Sequence, residues 1–190
     1  MTPLLKLPIA SYLASALLLT AALGYLVVDR VRLLTTGREI VLPIVPVDPR
    51  DLFKGDYARL AFEISRLDQS LAPEPDRNAG PPFARPPMTV YVTLEQRPDG
   101  TWGPIAVSSA RPTTLDPGKV VLRGRTQPWS RRDITYGLER YFVPEGTGRR
   151  IEDLAQKSKL AAIVAVDSSG GSAIKGLLID GRRVYEEPLF

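Results

Sequence analysis

The chain has no cysteine and no histidine among its 190 residues. Without cysteine there are no disulfides, no thiolate nucleophile and no thiolate metal site. The fold is then also indifferent to the redox state of its compartment. Without histidine, the commonest general base and the commonest metal ligand are missing. Ser-His-Asp, Cys-His and zinc chemistries are excluded together. There is no phosphate-binding glycine loop and no dinucleotide fingerprint, and no cofactor is expected. The net charge of +4 and a pI near 9.5 do not indicate nucleic acid, because the basic residues are scattered among acids and never run beyond pairs.

Proline and glycine, by contrast, are plentiful: 18 and 15 residues. Both disfavour helix interiors, so short strands joined by turns are expected. With 44% hydrophobic and 24% charged residues, the composition is that of a folded domain and not of a disordered chain.

From Leu7 to Val28 no residue is charged. As a helix this stretch would be about 33 Å long, enough to cross the hydrocarbon of a bilayer. Tyr12 and Tyr25 stand near its ends, where amphipathic aromatics prefer the interface, and Pro8 falls in the first turn, where its missing N–H costs little. The short-side-chain run Thr20–Gly24 could serve a signal peptidase, but apolar sequence continues to Val28, which favours a retained anchor. A buried core helix is the remaining alternative, and an uncharged stretch of this length argues against it. Counting Lys6 against Arg30, Arg32 and Arg38 places the following domain in the cytoplasm.

The organisation expected is an anchor over 1–29 and a β-rich domain over 30–190, with a proline-rich loop at 66–87. The fold class is α+β, mostly β: one N-terminal transmembrane helix, roughly eight strands and one short soluble helix. Gly37–Val47 reads as a strand, at an edge or bulged because of its prolines. Tyr57–Ile64 alternates, with Ala58, Leu60, Phe62 and Ile64 on one face. Met88–Glu95 and Thr101–Val107 flank a Pro98-Asp99-Gly100 turn. Lys119–Arg125 pairs with Asp133–Val143. Arg149–Ser158 is the helix, with Ile151, Leu154 and Ala155 on one side. Leu160–Val166 and Ala173–Ile179 form a hairpin over Ser168–Gly171, and Val184-Tyr185 adds a short strand after the Asp180-Gly181 turn.

The segment from Pro46 to Phe62 contains Gly55, Asp56, Tyr57 and Leu60 in the spacing of a GDYXXLXY signature, with Phe62 where the pattern has its final tyrosine. This segment, its preceding helix, and the stretches around Tyr136–Glu152 and Ala173–Glu187 resemble the bacterial membrane-protein family named after that motif. The resemblance implies a single-pass protein of the bacterial inner membrane. Its domain would be periplasmic or otherwise extracytoplasmic, against the arginine count, and its partners the lipid bilayer and a multi-pass membrane protein. It transfers no catalytic residue.

Two functional readings remain. In the first, the charged loop Asp48, Arg50, Asp51, Lys54, Gly55, Asp56 and Tyr57, with Arg140 and Glu145 (and Glu139) brought near it, binds a polar ligand, a cation through its carboxylates, or a partner. Gly55 would supply a sharp turn and Asp56 would cap it, so the same residues serve equally as fold determinants. No metal site with recognisable spacing is present. In the second, a lysine held neutral by burial activates a serine; Ser108 or Ser109 with Lys119 or Lys175 are the candidates. Lys175 stands out because it interrupts an apolar strand, although a strand lysine ordinarily faces solvent. The favoured expectation is a non-enzymatic binding or assembly module, with a membrane-tethered Ser/Lys hydrolase as the alternative.

Overall fold

A computed structural model describes residues 9–45, 57–71, 86–142 and 159–186. Helix α1 spans Ile9–Thr36, about 42 Å at the usual helical rise. Its apolar side chains from Tyr12 to Val28 are all exposed, and none of the apolar window packs inside the fold. A core helix hides one stripe; the apolar stretch of this one hides none, and the helix is long and apolar enough to cross a membrane. It does not stop at the expected anchor boundary. It continues through Asp29–Thr36 and, after the single residue Gly37, becomes β1 (Arg38–Val45).

The remaining strands are β2 (Tyr57–Arg59), β3 (Ala61–Phe62), β4 (Thr89–Gln96), β5 (Trp102–Ser108), β6 (Lys119–Gln127), β7 (Ser130–Thr135), β8 (Arg140–Phe142), β9 (Leu160–Val166), β10 (Ser172–Ile179) and β11 (Arg182–Glu186). One antiparallel sheet runs β11-β10-β9-β1-β3 and another β5-β4-β6-β7, while β2 pairs with β8 alone. Eight strands have five residues or more, and the short β2, β3 and β8 bring the described total to eleven. The protein is mostly β, and the helix expected at 149–158 lies outside the described residues.

The inner faces of the two sheets share one core. Ile40, Leu42, Ala162, Val164, Ile174 and Leu177 come from one side, and Val90, Val92, Leu94, Val120 and Leu122 from the other. Each set follows the two-residue period of a strand, with one exception. Ile174 and Leu177 are three residues apart, yet both are in the core. The ladder between β9 and β10 shifts between Ile174 and Gly176, so Lys175 is the extra residue of a bulge. That explains the lysine in an apolar strand: it sits where the alternation changes phase.

Three expected strands are resolved differently. Gly37–Val47 reads from its prolines as an edge or bulged strand; β1 instead lies between β9 and β3. Because β3 meets it only at Ile44 and Val45, Pro43 stands just upstream of that contact, paired across β9 with Ala161. The alternating run after Tyr57 is not one strand. It changes sheets at Leu60, whose N–H donates to the Glu139 carbonyl (2.9 Å), and then forms β3 and a 3-10 turn over Glu63–Ser65. Leu60, Phe62 and Ile64 still share the buried side. Likewise Asp133–Val143 splits into β7 and β8 at Gly137, whose φ of 79° suits glycine. β6 and β7 are joined instead by a tight turn at Pro128-Trp129. The expected proline-rich loop begins with a structural residue: Leu67 is fully buried, and its N–H donates to the Arg132 carbonyl (2.9 Å).

The hairpins fall where turn chemistry puts them. Asp180 and Gly181 both have positive φ, 47° and 77°, as a two-residue hairpin turn requires. Asp99 accepts from the Thr101 N–H (2.9 Å) and hydroxyl (2.7 Å); this bonding holds its carboxyl below the ordinary range. Gly170, at φ 86°, brings the tip of the β9–β10 hairpin onto the other sheet. Its carbonyl accepts from the Arg123 N–H at 2.8 Å, and an added Cβ would lie 3.0 Å from that nitrogen.

Tyr136 ties the sheet-switching segment to β7. It is buried, and its hydroxyl donates to the Ile64 carbonyl at 2.9 Å. Burial, with Glu139 adding to it, pushes its phenol far above the ordinary value of 10.0. The group is raised in the fold, so its contribution is complete below the unfolded value and is lost as pH climbs past it. Stability should therefore fall with rising pH above about 10. Tyr136→Phe should remove that alkaline slope and cost about 1–3 kcal/mol at neutral pH, because the Ile64 carbonyl is left without its partner. Urea unfolding followed across pH checks both outcomes.

Candidate functional site

The expected charged loop is only partly within the described residues. Asp48, Arg50, Asp51, Lys54, Gly55, Asp56 and Glu145 lie outside them. Tyr57 opens β2, opposite Phe142, and Arg140 sits opposite Arg59 at the other end of the same strand pair. The chain leaving the GDY segment is therefore hydrogen-bonded alongside the strand that carries Arg140. Glu139 is used locally: its carboxylate accepts from the Tyr136 N–H at 2.6 Å.

The lysines considered as bases are each held by a carboxylate. Lys175 Nζ lies 2.6 Å from Glu39 Oε1, and Arg183 approaches the same carboxylate at 3.7 Å. Lys119 bonds Asp116 at 2.5 Å. That contact raises the lysine and lowers the aspartate from their ordinary values. A general-base lysine needs the opposite, a shift toward neutrality. Ser108 Oγ accepts from the Ala110 N–H at 3.1 Å, and Ser109 is exposed. Among the described residues no three His, Cys, Asp or Glu side chains form a metal-binding group.

The structure instead assembles a cleft at the junction of helix and domain. It has a volume of about 800 Å³ and is walled by the last turns of α1, the start of β1, the loop after β5, the start of β6 and the β9–β10 hairpin. Four cationic side chains line it, Arg32, Arg38, Arg111 and Lys119, against two carboxylates, Asp29 and Asp167. Asp167 is occupied within its hairpin, accepting from the Ser169 N–H (2.6 Å), the Ser169 hydroxyl (2.7 Å) and the Gly171 N–H (2.9 Å). Arg111 donates to the Ser168 carbonyl at 2.5 Å, one of its five N–H donors. Arg38 donates to the Pro117 carbonyl at 2.7 Å, and its guanidinium lies 5.1 Å from the Trp102 ring centroid. Such stacking on a buried indole contributes about 1 kcal/mol. The cleft thus presents guanidinium and ammonium donors at fixed places, the chemistry that recognises phosphate and carboxylate oxygens.

This cleft is not legible in the sequence, because its residues come from four separated segments. The one available signal was the arginine cluster after the apolar run, read there as an orientation cue. What sets the cleft's geometry is Gly37. Its N–H donates to the Leu33 carbonyl at 3.0 Å. A Cβ there would collide with that carbonyl oxygen and come within 3.1 Å of both Ala165 Cβ and the Val166 nitrogen. Around it Leu34 is buried, and Arg30 reaches the Ser172 carbonyl at 3.5 Å. Ala165 and Ala173, both fully buried, keep the outer face of β9 and β10 small enough for the helix end to lie against it.

The fold and the cleft define a class: a two-sheet antiparallel β protein carried on an exposed apolar helix. The model of the GDYXXLXY protein family matches residues 19–177, and the chain belongs to that family. The match begins inside α1 and ends inside β10, so the helix–strand junction is part of it. No match was found among curated proteins or among solved structures.

Gly37→Ala should destabilise the domain by about 1–3 kcal/mol, because the obstacle is backbone and cannot rotate away. Gly118→Ala, which meets nothing within 4 Å, should leave stability unchanged within about 0.5 kcal/mol. Thermal unfolding in detergent, read by near-UV circular dichroism of Trp102, compares the two.

Proposed function

We propose that the chain is a single-pass anchored protein of the bacterial inner membrane. Its β domain is a non-enzymatic module that binds or assembles another membrane or envelope component, a multi-pass membrane protein being the partner that fits best. The observation that carries this is the junction. A helix long and apolar enough to span a bilayer passes into β1 through one residue, and its end is packed on β9 and bonded to β10. A flexible tether lets a domain search; a continuous helix with no linker fixes the domain's height and rotation at the membrane surface. Fixed pose serves a scaffold that must meet a neighbour embedded in the same bilayer. The charged segment Asp48–Tyr57, with Arg140 and Glu145, is the proposed contact region.

The domain is placed on the extracytoplasmic side. This orientation rests on the family resemblance, and the excess of Arg30, Arg32 and Arg38 over Lys6 opposes it. In the fold Arg30 and Arg38 make intramolecular contacts, which gives them a role independent of topology.

Purification of the full chain from its native membrane in mild detergent should bring down a multi-pass protein in stoichiometric amount, and charge reversal at Asp51 and Asp56 should release it. Recovery of a solitary, stable chain would overturn the assembly reading. Because the chain has no cysteine, Ser168→Cys creates a single label site on an exposed turn. A membrane-impermeant maleimide should reach it in intact spheroplasts; labelling only after lysis would place the domain in the cytoplasm.

A further inference from the structure

We infer that the cleft beside the end of α1 is a binding site for the headgroup of an anionic phospholipid, with Arg32, Arg111 and Lys119 holding its phosphate oxygens. The inference rests on the reading that α1 spans a bilayer. Depth is the first argument. Val28 is the last residue of the uncharged run; Arg32 lies about 6 Å further along the axis and Gly37 about 14 Å. The headgroup layer occupies roughly the first 5–8 Å beyond the hydrocarbon. Asp29 and Arg32, on the helical wall of the cleft, therefore fall within that layer. The cleft opens where phosphates are already concentrated, so a lipid needs no displacement from its own bilayer to enter it.

Chemistry and shape agree with depth. Arginine forks and an ammonium match phosphate oxygens. The opposing carboxylates are few, and Asp167 Oδ1 is engaged three times by its own hairpin. Asp116 engages Lys119, so it is the competitor a phosphate meets. The wall is not wholly polar: Leu33 and Leu115 also line it, and Leu115 is 41% exposed on the loop after β5. An apolar side chain beside a phosphate site suits the glycerol end of an acyl chain, which a free phosphate would not use. A volume of about 800 Å³ accommodates a headgroup with its first methylenes. A second basic pair, Arg123 and Arg125 further along β6, does not line this cleft and lines a different one with Tyr91 and Thr135.

The test uses the full chain in nanodiscs of phosphatidylcholine alone or with phosphatidylglycerol, released into native mass spectrometry to read the lipid retained. Phosphatidylglycerol should be retained above its share of the bilayer. Arg32→Gln and Arg111→Gln should each lower that retention about fivefold, the usual weight of one basic side chain near an anionic surface. Thr113→Glu, which adds a negative charge at an exposed position in the cleft, should lower it similarly without removing any bond, and Arg123→Gln with Arg125→Gln should not change it. Trp102 near-UV dichroism confirms that each variant is folded. Incorporation into both nanodiscs with no enrichment, or enrichment insensitive to all three cleft variants, overturns the lipid site while leaving the membrane anchor standing. Failure to enter neutral nanodiscs overturns the anchor itself. Displacement of the lipid by equimolar inorganic phosphate would make this a free-phosphate site and also overturn the proposal.

Discussion

The packing of one glycine against one strand governs how the two halves of this protein are related. At Gly37 the backbone stops being helix and starts being sheet, with the Leu33 carbonyl and Ala165 so close that no side chain fits between. Remove that closeness and α1 becomes a tether. With it, the helix end covers the outer face of β9 and β10, the first β strand leaves at a set angle, and Arg38 is delivered to the Trp102 ring. The cleft is a by-product of the same constraint: it is the space between a helix that cannot swing away and the loops of the facing sheet.

Among the described residues, contacts besides the apolar core join the two sheets. Arg38 stacks on Trp102 and bonds the carbonyl of Pro117. Gly170 sets the β9–β10 turn against the backbone of β6. The chain from Leu60 to Leu67 leaves one strand pair, lends two residues to the edge of β1, and ends bonded to β7. Each satisfies backbone or guanidinium groups that would otherwise be desolvated without a partner, which is where a β sandwich is most easily weakened.

The charged groups divide by what they touch. Lys175, Glu39 and Arg183 form a cluster over the bulge in β10, and Arg97 makes a two-pronged contact with Glu63 at 2.7 and 3.1 Å. These pairs are half exposed and worth little each in stability; they position strands. The cations of the cleft differ in setting: Arg32, Arg38, Arg111 and Lys119 line one open cavity at the end of the apolar helix, even though Lys119 also pairs with Asp116 and Arg111 and Arg38 also bond carbonyls. That contrast, more than total charge, separates a surface that is merely solvated from one that has something to bind.

The sequence by itself determined the local features. An uncharged run of membrane-spanning length, period-two alternation in β4, a short continuous apolar run in β9, and turn residues at Asp99-Gly100 and Asp180-Gly181 each act through near neighbours, so each is legible. β4, β5, β6 and the β9–β10 hairpin over Ser168–Gly171 follow from such signals alone. Tertiary structure decided what depends on distant partners. It split the runs after Tyr57 and Asp133, because β3 and β8 are defined by the strands they meet and not by their own two or three residues. It placed β1 inside the sheet despite its prolines, and made Lys175 the extra residue of a bulge, paired with Glu39. It also built the cleft from segments far apart in the chain. Periodicity reports which face of an element is buried; it carries no information on which other element does the burying, and a site made between elements exists only once that choice is made.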